Sequence, residues 1–106
     1  MGEVAEKDRR LFKELLPKWQ ESYMEMLIGQ YIKMLNGDSE ASSRFWALEE
    51  RINRDKLSSG VLVNGVRRST MRYEIANLLS DNVVTLDDLE GFTEDIKSCA
   101  RRCICR

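Results

Sequence analysis

Histidine is absent from all 106 residues. Its absence removes the commonest general base near neutral pH and every Ser-His or Cys-His nucleophile arrangement. The chain also lacks any apolar run near the roughly 20 residues that a membrane-spanning helix requires. Its opening, MGEVAEKDRR, has no apolar stretch of the secretory kind. Met1-Gly2 begins like an acylation signal, but Glu6 stands where Ser or Thr is wanted. These absences set the expectation of a cytoplasmic protein with no membrane partner.

Nucleotide and metal signatures are missing as well. There is no GxGxxG, no GxxxxGK[ST] and no calcium loop. The acidic pairs Glu49-Glu50, Asp87-Asp88 and Glu94-Asp95 are neighbours on expected helices, where adjacent side chains diverge toward solvent. The three cysteines, Cys99, Cys103 and Cys105, all lie in the final stretch SCARRCICR. Two of them would stand one helical turn apart, yet a fourth metal ligand is missing, and three thiols within seven residues close no useful disulfide loop. No cofactor, metal or catalytic residue is expected, and the reading is non-enzymatic.

The residues that are present describe a single helical domain spanning 1–106. Hydrophobic residues make up 42% and charged residues 33%, values outside the disordered class. A chain of this length buries roughly 65% of its unfolded surface, enough for one modest core. The expected fold is all-α, a small bundle of four to five helices with a short loop or tiny β-hairpin near residues 60–67.

The organising stretch is PKWQESYMEMLIGQYIKMLNG, residues 17–37. Trp19, Tyr23, Met26, Leu27, Tyr31, Met34 and Leu35 recur at spacings of three and four, too wide and aromatic a stripe to face water. Pro17 suits a first turn, and Asn36-Gly37 a left-handed cap. Before it, residues 4–16 read as a helix with Leu11, Phe12, Leu15 and Leu16 clustered at its end. The Leu16-Pro17 junction implies either a kink or a break. Gly29 inside the main helix suggests close approach of a neighbouring backbone.

A second helix follows Asp38-Ser39, either of which suits its cap, and runs to about Lys56 with Ala41, Phe45, Leu48 and Ile52 as its inward stripe. Trp46 lies one position off that stripe, so it packs at the core edge or stands exposed as an anchor for a partner. LSSGVLVNGV then breaks the helical pattern, and Asn64-Gly65 is a strong short-turn signal. A third helix begins near Ser69-Thr70, turns Met71, Ile75, Leu78 and Leu79 inward, and ends at Asp81-Asn82. Thr85 with Asp88 forms a capping arrangement for a short helix holding Leu86 and Leu89. Thr93 with Glu94 and Asp95 starts the last helix, which carries Ile96, either Cys99 or Ala100, and Cys103.

Charge is arranged in blocks that a net charge of −1 conceals. Residues 41–72 carry 7 basic and 3 acidic side chains, whereas residues 73–95 carry 0 and 7. Arg67, Arg68 and Arg72 surround the third helix start, where free N–H groups and the helix dipole favour an anion. Arg44, Arg51, Arg54 and Lys56 on the second helix would extend that patch if the hairpin turns the two helices together. The competing use of these arginines is pairing with the acidic 73–95 block. A helix-turn-helix does not fit, because roughly ten residues separate the second and third helices and the next short helix is acidic.

These features set the expected binding set as Arg67, Arg68, Arg72, Arg51, Arg54 and Trp46. The expected function is docking on a larger protein or protein–nucleic-acid complex as a regulator or inhibitor. Such a character suits accessory proteins of phage and mobile elements, including inhibitors of host defence nucleases. The alternative is a direct nucleic-acid-binding regulator that neutralises phosphates from the arginine-rich helix start, with strong salt dependence. A homodimer is open too, since the main helix has more apolar surface than one short partner helix covers.

Overall fold

The structure, a computed structural model, describes residues 4–62, 67 and 69–104. It is all-α, with no strand among the described residues. The helices are α1 (Glu6–Leu35), α2 (Ala41–Asp55), α3 (Met71–Ser80) and α4 (Glu94–Ile104), with a 3₁₀ turn at Leu86–Leu89. Residues 63–66, where the Asn64-Gly65 hairpin turn was expected, lie outside the described residues, as do Arg68 and Cys105.

Of the two alternatives at Pro17, a kink or a break, α1 rules out the break, because it runs as one helix of 30 residues through the proline. Proline inside a helix costs about 3 kcal/mol, and packing on either side offsets it. Phe12 and Leu16 are buried before it. Trp19, just after it, lies between the Phe12 and Phe92 rings at centroid distances of 6.1 and 6.3 Å.

The core accordingly sits at the first half of α1, not along the expected 17–37 stretch. Phe12 and Leu16 join Met71, Ile75 and Leu78 of α3 there. Leu89 of the 3₁₀ turn, Phe92 of the loop after it, and Ile96 and Ala100 of α4 close the same cluster. Of the seven-residue stripe expected to be buried, only Leu27 is, and Met26 and Leu35 are exposed. The reason is supply of partners: α2 and the turn after it cover the second half of α1 on one side. The radius of gyration, 16.5 Å, exceeds the roughly 13 Å of a compact domain this size. The molecule is a globular head with a two-helix arm, 54 Å in its longest dimension.

Local punctuation in the head follows side-chain chemistry. Thr70 stands at the N-cap of α3, its hydroxyl 3.3 Å from Glu74. α3 ends with Asn82 at φ 61°, the Asn82 N–H donating to Leu79 O and the Val83 N–H to Leu78 O. That pair of bonds is a Schellman ending, satisfying carbonyls that the last turn leaves open. The Thr85 N–H donates to Asp88 Oδ2 at 2.8 Å, as expected for a capping box. Leu89 of that turn is buried, whereas Leu86 is exposed.

α4 is fastened from a distance. Position 96, the third of the helix, is Ile and has no oxygen to reach back to the Thr93 N–H as a capping box would. Asp8 supplies it, 85 residues away: Oδ1 accepts the Thr93 N–H at 3.0 Å and Oδ2 accepts the Thr93 hydroxyl at 2.5 Å. Asp8 is only 1% exposed. Its carboxylate also sits where the α4 dipole favours negative charge.

Candidate interaction surface

The arm is held by polar bonds rather than by its apolar stripes. Tyr31 on α1 donates its hydroxyl to Asp55 Oδ2 on α2 at 2.7 Å, and Arg51 Nε lies 2.9 Å from the same oxygen. Arg51 also hydrogen-bonds Gln30, and its guanidinium lies 5.7 Å from the Tyr31 ring centroid. Arg44 donates to the Leu35 carbonyl at 2.7 Å and to that of Ser39 at 3.0 Å. It thereby caps the C-terminal end of α1, where Asn36 is not left-handed and the expected Asn36-Gly37 cap does not form. At the base, Gln20 donates to Ser59 O, and Gly60 sits against the Tyr23 ring.

Burial raises the Tyr31 phenol to about 12, helped by its hydrogen bond to the Asp55 carboxylate and opposed by Arg51. The phenol stays neutral and donates to Asp55 across the physiological range. Deprotonation would set two negative oxygens against each other, so the clasp is stable until strongly alkaline pH.

Because Arg44, Arg51 and Asp55 face α1, the stripe read as the inward face of α2 turns outward. Phe45 is 63% exposed and Ile52 is 41% exposed. The expected Asp38-Ser39 cap does not form either: Glu40 occupies the N-cap with no side-chain bond. On α1, Met24, Ile28, Ile32 and Leu35 make a second stripe beside the one that meets α2, and Ile28 and Ile32 are 50% and 54% exposed. Helical phase puts these two outer stripes on one side of the arm. Met24, Ile28 and Ile52 accordingly line a shared groove of about 210 Å³ with Leu27, Val61 and Lys56.

Trp46 is 59% exposed and packs edge-on to Phe45, ring centroids 5.0 Å apart. Of the two readings of this residue, exposure describes it. Ile28 and Ile32 were missed by the sequence reading, though the 24, 28, 32, 35 spacing was there to be read. With the inner stripe, it makes this half of α1 apolar over most of its circumference, a pattern of a helix covered on two sides.

The arginines do not form one patch. Arg51 is engaged in the clasp, and the exposed Arg54 lies 3.5 Å from Asp55. Arg72 pairs with Asp95 of α4 at 2.5 Å, a bond between the basic and acidic blocks. Arg67 is exposed and lines a groove of about 340 Å³ with Ser59, Thr70, Tyr73, Glu74 and Asn77. Burial raises the Glu74 carboxyl, while the Thr70 hydroxyl and Arg67 act in the opposite direction. A carboxylate shares the groove at the α3 start, so an incoming phosphate meets both signs of charge.

Gly29 contradicts the expected close approach, since nothing lies within 4 Å of a Cβ placed there. Cys99 and Cys103 are free and half-buried against α3. Among the described residues no three His, Cys, Asp or Glu side chains are grouped to hold a metal. No described helix is long and apolar enough to cross a membrane. Comparison with protein-family models, with curated proteins and with solved structures found no match.

Proposed function

We propose that this protein acts by binding, without chemistry of its own, as a regulator or inhibitor that docks on a larger protein or protein–nucleic-acid complex. The observation that carries this reading is the uncovered apolar face of the α1–α2 arm, with Phe45 and Trp46 packed edge-on at its margin. Interface hot spots are typically aromatic residues set among aliphatic ones. A contiguous exposed patch beyond a few hundred Å² marks an interaction site. The arginine-rich set contributes at the margin: Arg54, though 3.5 Å from Asp55, and Arg67 are exposed to a partner, whereas Arg51 and Arg72 are half-buried against acidic partners.

The test is a pull-down from host lysate with the tagged full chain, with and without nuclease, comparing wild type, Phe45→Ala plus Trp46→Ala, and Arg67→Glu plus Arg68→Glu. A stoichiometric protein that survives nuclease and is lost with the aromatic pair supports docking. Nucleic acid recovered alone, lost at raised salt and with the arginine pair, would replace docking by direct nucleic-acid binding.

A further inference from the structure

We infer that the apolar face of the arm closes on a second copy of the same chain, forming a two-fold four-helix bundle from two α1–α2 hairpins. The inference rests on the reading of that face as an interface, and it names the occupant.

Area comes first. With full side-chain areas near 150–250 Å² for the larger residues, the exposed parts of Ile28, Ile32, Leu35, Phe45 and Ile52 total roughly 450 Å². A standard interface takes about 800 Å² from each partner, so the apolar strip is the greater part of one. Two antiparallel helices with one apolar side are also half of a four-helix bundle.

Charge selects the direction of the two-fold axis. Glu21, Glu25, Ile28 and Ile32 follow one line along α1 at spacings of four, three and four, acidic at the base of the arm and apolar toward its tip. Lys56 lines the groove on the same face. The Gln20–Ser59 and Tyr31–Asp55 bonds bracket its level, placing Lys56 opposite the stretch of α1 that holds Glu21 and Glu25.

A two-fold axis running lengthwise along the arm preserves levels and lays α1 of one protomer over α2 of the other. Glu21 and Glu25 then meet the partner's Lys56 at the base, and Ile32 and Leu35 meet the partner's Phe45 near the tip. An axis across the arm would set the acidic base of one hairpin beside Asp38 and Glu40 at the other's tip, juxtaposing like charges. In the lengthwise bundle the opposite faces, with Lys33 and Arg54, point outward and remain for a larger partner.

The experiment is analytical ultracentrifugation of the full chain over a concentration series, with circular dichroism to confirm helicity of each variant. Wild type sediments as a dimer. Ile32→Glu, at an already exposed position, raises the dimer dissociation constant on the order of a hundredfold or more, since the symmetry buries the change twice. Met26→Glu, on the other side of α1, leaves the dimer intact. Lys56→Glu weakens it, and adding Glu25→Lys restores it.

A wild-type chain that stays monomeric, or a dimer indifferent to Ile32→Glu, overturns the inference. A charge swap that restores nothing overturns the lengthwise axis. A monomer that still captures a protein through Phe45 and Trp46 leaves the docking function standing and removes only the second copy as occupant. A monomer that captures nothing removes both.

Discussion

Replacing Asp8 with Ala should be the most damaging single change at any polar position of the head. Asp8 is 1% exposed and accepts two hydrogen bonds from Thr93, at 3.0 and 2.5 Å. Truncation leaves a shielded backbone N–H and a hydroxyl without their acceptor at the start of α4. Hydrogen bonds to a charged group contribute about 1.5–3 kcal/mol each, and loss of a helix cap alone costs about 1 kcal/mol. Since the two bonds share one carboxylate and are not additive, the expected loss is about 3 kcal/mol. Asp8→Asn keeps one acceptor and should lose about half as much. Urea unfolding followed by circular dichroism reads both values. Thr93→Val closes a double-mutant cycle, with a coupling of at least about 1 kcal/mol expected. A loss under about 0.5 kcal/mol for Asp8→Ala, or additivity with Thr93→Val, would refute the assignment of Asp8 as the remote cap of α4.

Tyr31 gives a spectroscopic prediction: in an alkaline titration of tyrosinate absorbance, one phenol should ionise near pH 12, and Tyr31→Phe should remove that step. Its folded-state value lies above the unfolded one of about 10, so the stability it contributes is fully present below pH 10. It is lost as pH rises toward 12. Gly29→Ala, with nothing within 4 Å of the new methyl, should stabilise by about 0.5–1 kcal/mol. Gly60→Ala would put a Cβ 2.2 Å from the Tyr23 ring and should destabilise by about 1–3 kcal/mol; thermal melts rank the pair. Trp19→Ala, which removes the ring between Phe12 and Phe92, should cost about 3 kcal/mol. An unchanged melting temperature would show that α1 does not depend on this contact to pass through Pro17.

Features set by neighbours in sequence were legible. The Thr70 start of α3, its stop at Asn82 and the Thr85–Asp88 capping box are each set by residues within about a turn of the boundary, and the inward set Met71, Ile75, Leu78 and Leu79 by local spacing. Features set by tertiary contact were not. Helix propensity alone places a boundary at Pro17, and burial of Phe12, Leu16 and Trp19 overrides it. Asp8 reads as one more charge in EKDRR, because nothing local marks it for Thr93. The face of the arm was misjudged for a related reason. Apolar spacing on α2 selects Phe45 and Ile52 as inward, but Tyr31, Arg51 and Asp55 decide which side meets α1. Among the candidate binding residues, Trp46 was read as either packed at the core edge or exposed, and it is exposed, while the pairing of Arg72 with Asp95 follows the charge-block alternative.

That last competition carries the argument about what the arm is for. Rolling α2 by roughly 70° about its axis would turn Phe45 and Ile52 toward α1, gaining a few kcal/mol of apolar burial within one molecule. It would also pull Asp55 from Tyr31 and Arg51 and pull Arg44 from the end of α1. Asp55 would give up hydrogen bonding to a charged group, worth about 1.5–3 kcal/mol, and an uncapped carbonyl adds to that. The two orientations are therefore close in energy for an isolated chain, and the polar clasp is what holds the outward one. A rigid, polar-locked hairpin that presents Ile28, Ile32, Phe45 and Ile52 outward gains its full apolar stabilisation only when another surface covers that face.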